Sequence, residues 1–235
     1  MRLFKIQLRI GILCFLLVPC VAIAQNEEYV EGEHYLVLPT QFDTSTEQSS
    51  DETDDVIEVI EFFAYNCKFC YQFEAHITEW LKSKADDVSF DREHVTWNNA
   101  QILLAKAYYA AVELEVLPKV HTPMFKAIHD HQLSMTRGDR LSMLFDNAAD
   151  VEPETFDETF SSAAVSDRLQ ECTTKMRVWR IATSGTPSLV VGGKYLIDTE
   201  TAGGHSGMFP IVDFLVDKIR EEQEASARVS QSESE

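Results

Sequence analysis

Glu61-Phe62-Phe63-Ala64-Tyr65-Asn66-Cys67-Lys68-Phe69-Cys70 decides the reading of this 235-residue chain. The residues before it, Val56-Ile57-Glu58-Val59-Ile60, are mostly β-branched. With Phe62 and Phe63 they predict a strand over 56–63, apolar on both faces apart from Glu58 and Glu61, as a central strand requires. After it, Phe69, Phe73, Ile77, Trp80 and Leu81 recur at helical spacing, which predicts a helix from Cys67 to about residue 84. A strand that delivers Cys-x-x-Cys to a helix start reads as a dithiol redox site. Free backbone N–H groups and the helix dipole favour negative charge there, so Cys67 is expected to ionise more readily than an ordinary thiol. Cys70, one turn further in, is placed to attack a mixed disulfide formed at Cys67. The same pair also fits a structural disulfide or half of a metal site. Glu61 is the odd residue of the strand, because a carboxylate is expensive to bury there. Six residues before Cys67, it is positioned either to sit beneath the dithiol and move protons or to reach water at the strand end.

The chain opens with Arg2, Lys5 and Arg9, an apolar run over 10–24 and the small-residue ending Ala22-Ile23-Ala24. That pattern describes a secretory signal peptide over 1–24, too short and wrongly flanked for a membrane span. Cys20 follows Pro19, which suits a lipid-modified cysteine poorly, so cleavage after Ala24 and a soluble exported protein are expected. Cleavage removes Cys14 and Cys20 and leaves Cys67, Cys70 and Cys172. It also leaves 17 basic against 39 acidic side chains, a formal charge of about −22. Such a balance argues against nucleic acid or an anionic membrane as the main partner. A disulfide-stapled scaffold would use many more cysteines, so this chain is held by packing and keeps its pair for chemistry.

His34-Tyr35-Leu36-Val37-Leu38 offers a short strand, and the acidic, Ser/Thr-rich residues 40–55 a surface loop. Val88-Ser89-Phe90-Asp91-Arg92-Glu93-His94-Val95 alternates as a strand should. From 99 to 180 the pattern is helical: around Ile102 to Ala111, from Thr122-Pro123, over 139–148, over 153–160 and over 165–181. Strands return in Ser188-Leu189-Val190-Val191 and Lys194-Tyr195-Leu196-Ile197, joined by Gly192-Gly193 in a hairpin. A last amphipathic helix is predicted over 208–220 and a disordered acidic tail after it. The organisation expected is an α/β fold in which 25–98 and 175–222 flank an inserted helical domain over 99–174, with 223–235 as tail.

This ordered series resembles the DsbA family of exported thiol:disulfide oxidoreductases over nearly the whole mature chain. The likeness is carried by Glu33-His34-Tyr35, Glu61-Phe62-Phe63, Cys67-x-x-Cys70 and Tyr71-Gln72-Phe73-Glu74. It continues through Ala107-Tyr108-Tyr109, Phe125-Lys126-Ala127-Ile128-His129, Gly185-Thr186-Pro187, Lys194-Tyr195 and Ala202-Gly203-Gly204. The resemblance implies a thioredoxin fold with a helical insertion, Cys67 as exposed nucleophile and Cys70 as its buried partner. It implies that Thr186-Pro187, with Pro187 in a cis peptide, faces the dithiol and offers the Thr186 backbone to an unfolded substrate strand. Glu61 and Glu74 fall where the family carries acidic residues near the site. The resemblance further implies a periplasmic protein, no cofactor beyond the Cys67–Cys70 disulfide, reduced exported proteins as substrates and a DsbB-type membrane quinone reductase as oxidant.

One departure bears on chemistry. Strong oxidases of this family carry Pro-His between the cysteines, and here the pair is Lys68-Phe69. Phenylalanine cannot stabilise a thiolate as histidine does, and a flexible lysine in water contributes little. A weaker oxidant is therefore expected, with Phe69 giving substrates an apolar contact. A reductase or isomerase using the same dithiol is the alternative, although no dimerisation segment is seen and a monomer is expected. A metal-binding thiol module would need further ligands, and none is predicted. Cys172 reads as a packing cysteine. His76, His94, His121, His129, His131 and His205 form no tight constellation in sequence, and Gly203-Gly204-x-x-Gly207 reads as a turn.

Overall fold

The computed structural model describes residues 29–39 and 56–233. The signal peptide over 1–24 and the acidic loop over 40–55 lie outside the described residues. Five strands form one sheet: β1 (Leu36–Val37), β2 (Ile57–Phe63), β3 (Val88–His94), β4 (Ser188–Val191) and β5 (Tyr195–Asp198), in the order β1-β5-β4-β2-β3. β2 and β3 run parallel, joined by α1 (Lys68–Trp80), whereas β4 is antiparallel to both β2 and β5. Between β3 and β4 lie α2 (Asn99–Glu113), α3 (Leu117–His129), α4 (Gly138–Ala149), α5 (Pro153–Phe160) and α6 (Ala163–Val178). The chain closes with α7 (His205–Glu233). This is the expected thioredoxin arrangement with helices inserted into it.

β2 explains why one sheet serves two cores. Successive side chains point to opposite faces, so Ile57 and Val59 pack toward α1 and α7 while Ile60 and Phe62 pack toward the inserted helices. Phe73, Ile77, Leu189, Val191, Ile197, Met208 and Leu215 complete the first core, and Leu104, Met124, Phe125, Phe145, Phe156 and Trp179 the second. Each such buried side chain contributes about 1.5–3 kcal/mol of apolar transfer free energy. The hairpin between β4 and β5 turns on Gly192 and Gly193, both at positive φ, where glycine alone is unstrained. Gly207 answers to space instead, since a Cβ there would lie 1.9 Å from the Ala202 carbonyl oxygen.

Three expectations change. α3 begins at Leu117 and not at Thr122, because Pro118 occupies its first turn and Pro123 is accommodated inside the helix. The boundary expected at residue 174 falls within α6, which continues to Val178. The final helix starts at His205 and runs to Glu233, so the tail expected to be disordered from 223 is helical through most of its length. The added residues, Glu-Glu-Gln-Glu-Ala-Ser-Ala-Arg and onward, contain no glycine or proline to stop a helix and several strong helix formers. Glu222 in this extension also accepts from Tyr195 Oη at 2.7 Å and pairs with Lys194 Nζ.

Candidate active site

β2 ends at Phe63, and a turn closed by Cys67 N–H donating to Ala64 O at 2.9 Å carries the chain into α1. Cys67 is the N-cap of α1. Its sulfur accepts from the Cys70 N–H at 3.3 Å, which is the role a serine or aspartate oxygen plays at ordinary helix starts. Cys70 is fully buried against the core and Cys67 is half-buried; both are free thiols. Their acidities separate accordingly. Hydrogen bonding from the Cys70 thiol, aided by the Thr186 side chain and the backbone N–H groups of Cys70 and Phe69, outweighs burial and lowers the Cys67 thiol to about 6. Burial pushes Cys70 well above the ordinary thiol range, and the Cys67 charge pushes it further.

The peptide between Thr186 and Pro187 is cis, and the Cys67 thiol donates to Thr186 O at 3.4 Å. Pro187 is buried and Thr186 half-buried, so the backbone just before β4 stands beside the reactive sulfur. Lys68 and Phe69 project outward. Phe69 is 61% exposed, its ring edge-on to His205 at 6.3 Å between centroids. No other phenylalanine is among the large exposed apolar side chains described.

Glu61 and Glu74, from β2 and α1, meet through Arg92 of β3. Arg92 Nε donates to Glu61 Oε2 at 2.9 Å, and its Nη2 lies 3.4 Å from both Glu74 oxygens. The parallel register sets Arg92 directly beside Glu61. Glu61 is wholly buried, and its Oε1 has no hydrogen-bond partner. Burial raises the Glu61 carboxyl, Arg92 opposes that, and the Glu74 and Cys67 charges reinforce it. Arg92 itself is held charged by both carboxylates despite its own burial. Those two tendencies conflict within one pair. The unpartnered Oε1 supports the raised carboxyl, because a second, undonated oxygen is poorly suited to carry charge away from water. Burial also raises Glu74, but His121 and Arg92 outweigh it and hold that carboxyl below its ordinary value.

The structure gathers residues that sequence reasoning left scattered. His94 and His121 are buried beside Tyr65, and His129 reaches the same residue from the end of α3. His94 Nε2 accepts from Tyr65 N–H at 3.0 Å, so its proton sits on Nδ1 and is donated to Val95 O at 2.9 Å. Burial lowers the His94 imidazolium to about 3, and the ring is neutral at physiological pH. Arg92 was detectable in principle. Aligning the predicted strands over 56–63 and 88–95 from their first residues sets Glu93 opposite Glu61 and brings Arg92 within one residue of it; the observed pairing of Ile57 with Val88 sets Arg92 there. His121 offered no signal, since nothing local in Val120-His121-Thr122-Pro123 points to a residue fifty-six positions earlier. Cys172 is buried, donates to His94 O at 3.3 Å and is pushed up by burial, which suits packing. Among the described residues no group of three or more His, Cys, Asp or Glu is arranged to hold a metal ion, and no helix is long and apolar enough to cross a membrane.

Comparison with known proteins agrees in detail. The family model described as a DSBA-like thioredoxin domain matches residues 58–209. The thiol:disulfide interchange protein DsbA of Azotobacter vinelandii is 29% identical over 192 residues, covering 82% of this chain and 85% of that protein. Its namesake in Pseudomonas syringae pv. tomato is 31% identical over 165 residues, covering 70% and 75%. Among solved structures, Pseudomonas aeruginosa DsbA superposes with a TM-score of 0.75 at 25% identity over 85% of this chain and 98% of that one. Oxidoreductase DsbA from Xylella fastidiosa gives 0.71 at 28%, over 82% and 98%.

Proposed function

The chain belongs to the DsbA-like thioredoxin-domain family, and from that premise we propose that it is a thiol:disulfide oxidoreductase donating a Cys67–Cys70 disulfide to exported proteins as they fold. A substrate thiolate attacks Cys67 Sγ, the Cys67–Cys70 bond breaks, and Cys70 leaves as a thiolate that takes up a proton. A second substrate thiolate then attacks the substrate sulfur of the mixed disulfide, and Cys67 departs as thiolate. Two electrons pass from the substrate dithiol to the enzyme, which ends as the dithiol described here. The roles divide by exposure. Cys67 is reachable and a good leaving group because its thiolate is stabilised, whereas buried Cys70 holds a proton tightly. Glu61, buried and electrostatically coupled to both sulfurs, suits the handling of that proton, and Glu74 tunes it across Arg92. Thr186 and Pro187 suit the docking of an extended substrate backbone beside Cys67, and Lys68 and exposed Phe69 the contact with its side chains.

The observation that carries this reading is the half-buried Cys67 sulfur at the N-cap of α1, accepting from the N–H of the fully buried Cys70 three residues on. The chemistry requires no cofactor beyond the disulfide. We place the protein in the periplasm as a monomer, with reduced exported proteins as substrates and a DsbB-type membrane quinone reductase restoring the disulfide. Because Phe69 supplies no positive charge, a potential less oxidising than about −120 mV is expected, on a scale where thioredoxin lies near about −270 mV. Equilibration of the mature protein with glutathione buffers measures it. A value between about −120 and −160 mV supports the donor oxidase. A value of about −200 mV or below turns the reading toward reductase or isomerase, with Lys68-Phe69 as its cause.

A further inference from the structure

Tyr65 stands two residues before Cys67, wholly buried, and histidines hold all three of its polar groups. His94 takes the backbone N–H at 3.0 Å, His129 Nε2 donates to the backbone carbonyl at 2.8 Å, and His121 Nδ1 lies 3.0 Å from the phenol oxygen. Tyr65 is thus fixed inside the turn, closed from Cys67 N–H to Ala64 O, that sets Cys67 on the start of α1. Only one of the three contacts runs onward to charge. His121 Nε2 is 3.3 Å from Glu74 Oε1, an ion-pair distance without good hydrogen-bond alignment, and Arg92 joins Glu74 to Glu61. The groups around His121 are therefore Tyr65 from the turn, Glu74 from α1, and Arg92 and His94 from β3, with the Phe63 and Phe125 rings closing the site.

The proton inventory of His121 is restrictive. A neutral ring with its proton on Nε2 faces the Glu74 carboxylate and leaves Nδ1 to accept the Tyr65 O–H. A second proton makes both nitrogens donors, and the phenol loses its acceptor. We propose that His121 is a positioning residue for thiol exchange: by joining Tyr65 to the Glu74–Arg92–Glu61 group, it holds the turn that aims Cys67 and makes that turn answer to the charge of the group. The Cys70 N–H lies 3.3 Å from the Cys67 sulfur, so the support of the thiolate weakens if the turn relaxes. The proposal rests on the exchange reading above.

The test is a double-mutant cycle between Tyr65→Phe, which removes only the hydroxyl, and His121→Gln, which keeps a polar group that does not titrate. Thiolate absorbance near ultraviolet wavelengths gives the Cys67 midpoint against pH, the exchange rate with glutathione disulfide gives reactivity, and thermal unfolding records the fold. Each single variant is expected to raise the midpoint by about half to one pH unit, the worth of one hydrogen bond. Below the midpoint the exchange rate falls about three- to tenfold, with the thiolate fraction. The double variant is expected to go no further than the larger single. Midpoints that superimpose on the unmodified protein overturn the proposal, as do shifts that add, and so does a lowered unfolding temperature with an unmoved midpoint. An unmodified protein that fails to exchange with glutathione at all overturns the exchange reading instead.

Discussion

The two faces of the sheet are built on opposite terms. Toward α1 and α7 the core is almost wholly apolar, with Phe73 stacked on Phe209 and Trp80 on Phe209. Toward the inserted helices the core admits His94, His121 and Gln101 among its buried residues, and the two histidines meet at Tyr65, two residues before Cys67. The edge of the first core nearest the cysteines changes character too, at Glu61, Arg92 and Glu74. What the difference teaches is where stability and chemistry are separated. Burying a carboxylate or imidazole costs more than burying a methyl, and among the described residues the wholly or nearly buried ones, Glu61, His94 and His121, are bonded to Arg92 or Tyr65 beside the dithiol.

The sharpest way to break this contrast is to damage each side once. Ile197→Ala in the apolar core is expected to cost about 2–5 kcal/mol in denaturant unfolding at every pH, with the Cys67 midpoint unmoved. Arg92→Met leaves Glu61 and Glu74 facing each other without their cation and is expected to cost about 3 kcal/mol near pH 8. That loss should shrink as pH falls, since Glu61, already raised by burial, then takes up a proton. A pH-independent loss in Arg92→Met would remove the distinction between the two sides.

A gentler test follows the thiol itself. The Cys67 thiol is lowered from an ordinary value of 9.0 to about 6, so the folded dithiol releases this proton before the unfolded chain does. Its contribution to stability is present above pH 9 and is lost as pH falls toward 6. The unfolding temperature of the reduced protein is therefore expected to decline relative to Cys67→Ser over that window. Parallel curves for the two would mean that the N-cap does not favour the thiolate. The smallest effect belongs to the far end of α7. Glu222→Gln, which weakens a half-exposed pair with Lys194, is expected to cost less than about 1 kcal/mol and to leave exchange untouched.

Much of the fold and the dithiol itself was legible in the sequence, and the reason is local. The apolar runs around Cys67 and the hairpin at Gly192-Gly193 fix strands and turns within a few residues of themselves. Thr186-Pro187 was singled out by the family resemblance, whereas Cys67 and Cys70 stood out because their chemistry is carried by adjacent residue types. The Tyr65 clamp did not, since its three histidines come from β3 and α3, between 29 and 64 positions away in the chain. The helical end of the chain was missed for a different reason. An acidic, serine-bearing stretch reads as unstructured, yet Glu, Gln, Ala and Arg favour a helix wherever one is already nucleated, and α7 arrives there fully formed.

Gly207 bears on how this sequence tolerates change. The Ala202 carbonyl occupies the space where any side chain would begin, and that oxygen is backbone, which cannot step aside as a flexible side chain can. A saturation library at this position should return glycine and nothing else, while exposed positions along the outer turns of α7 accept most of the alphabet. In informational terms, a residue that touches neither sulfur is among the most completely specified letters of the chain.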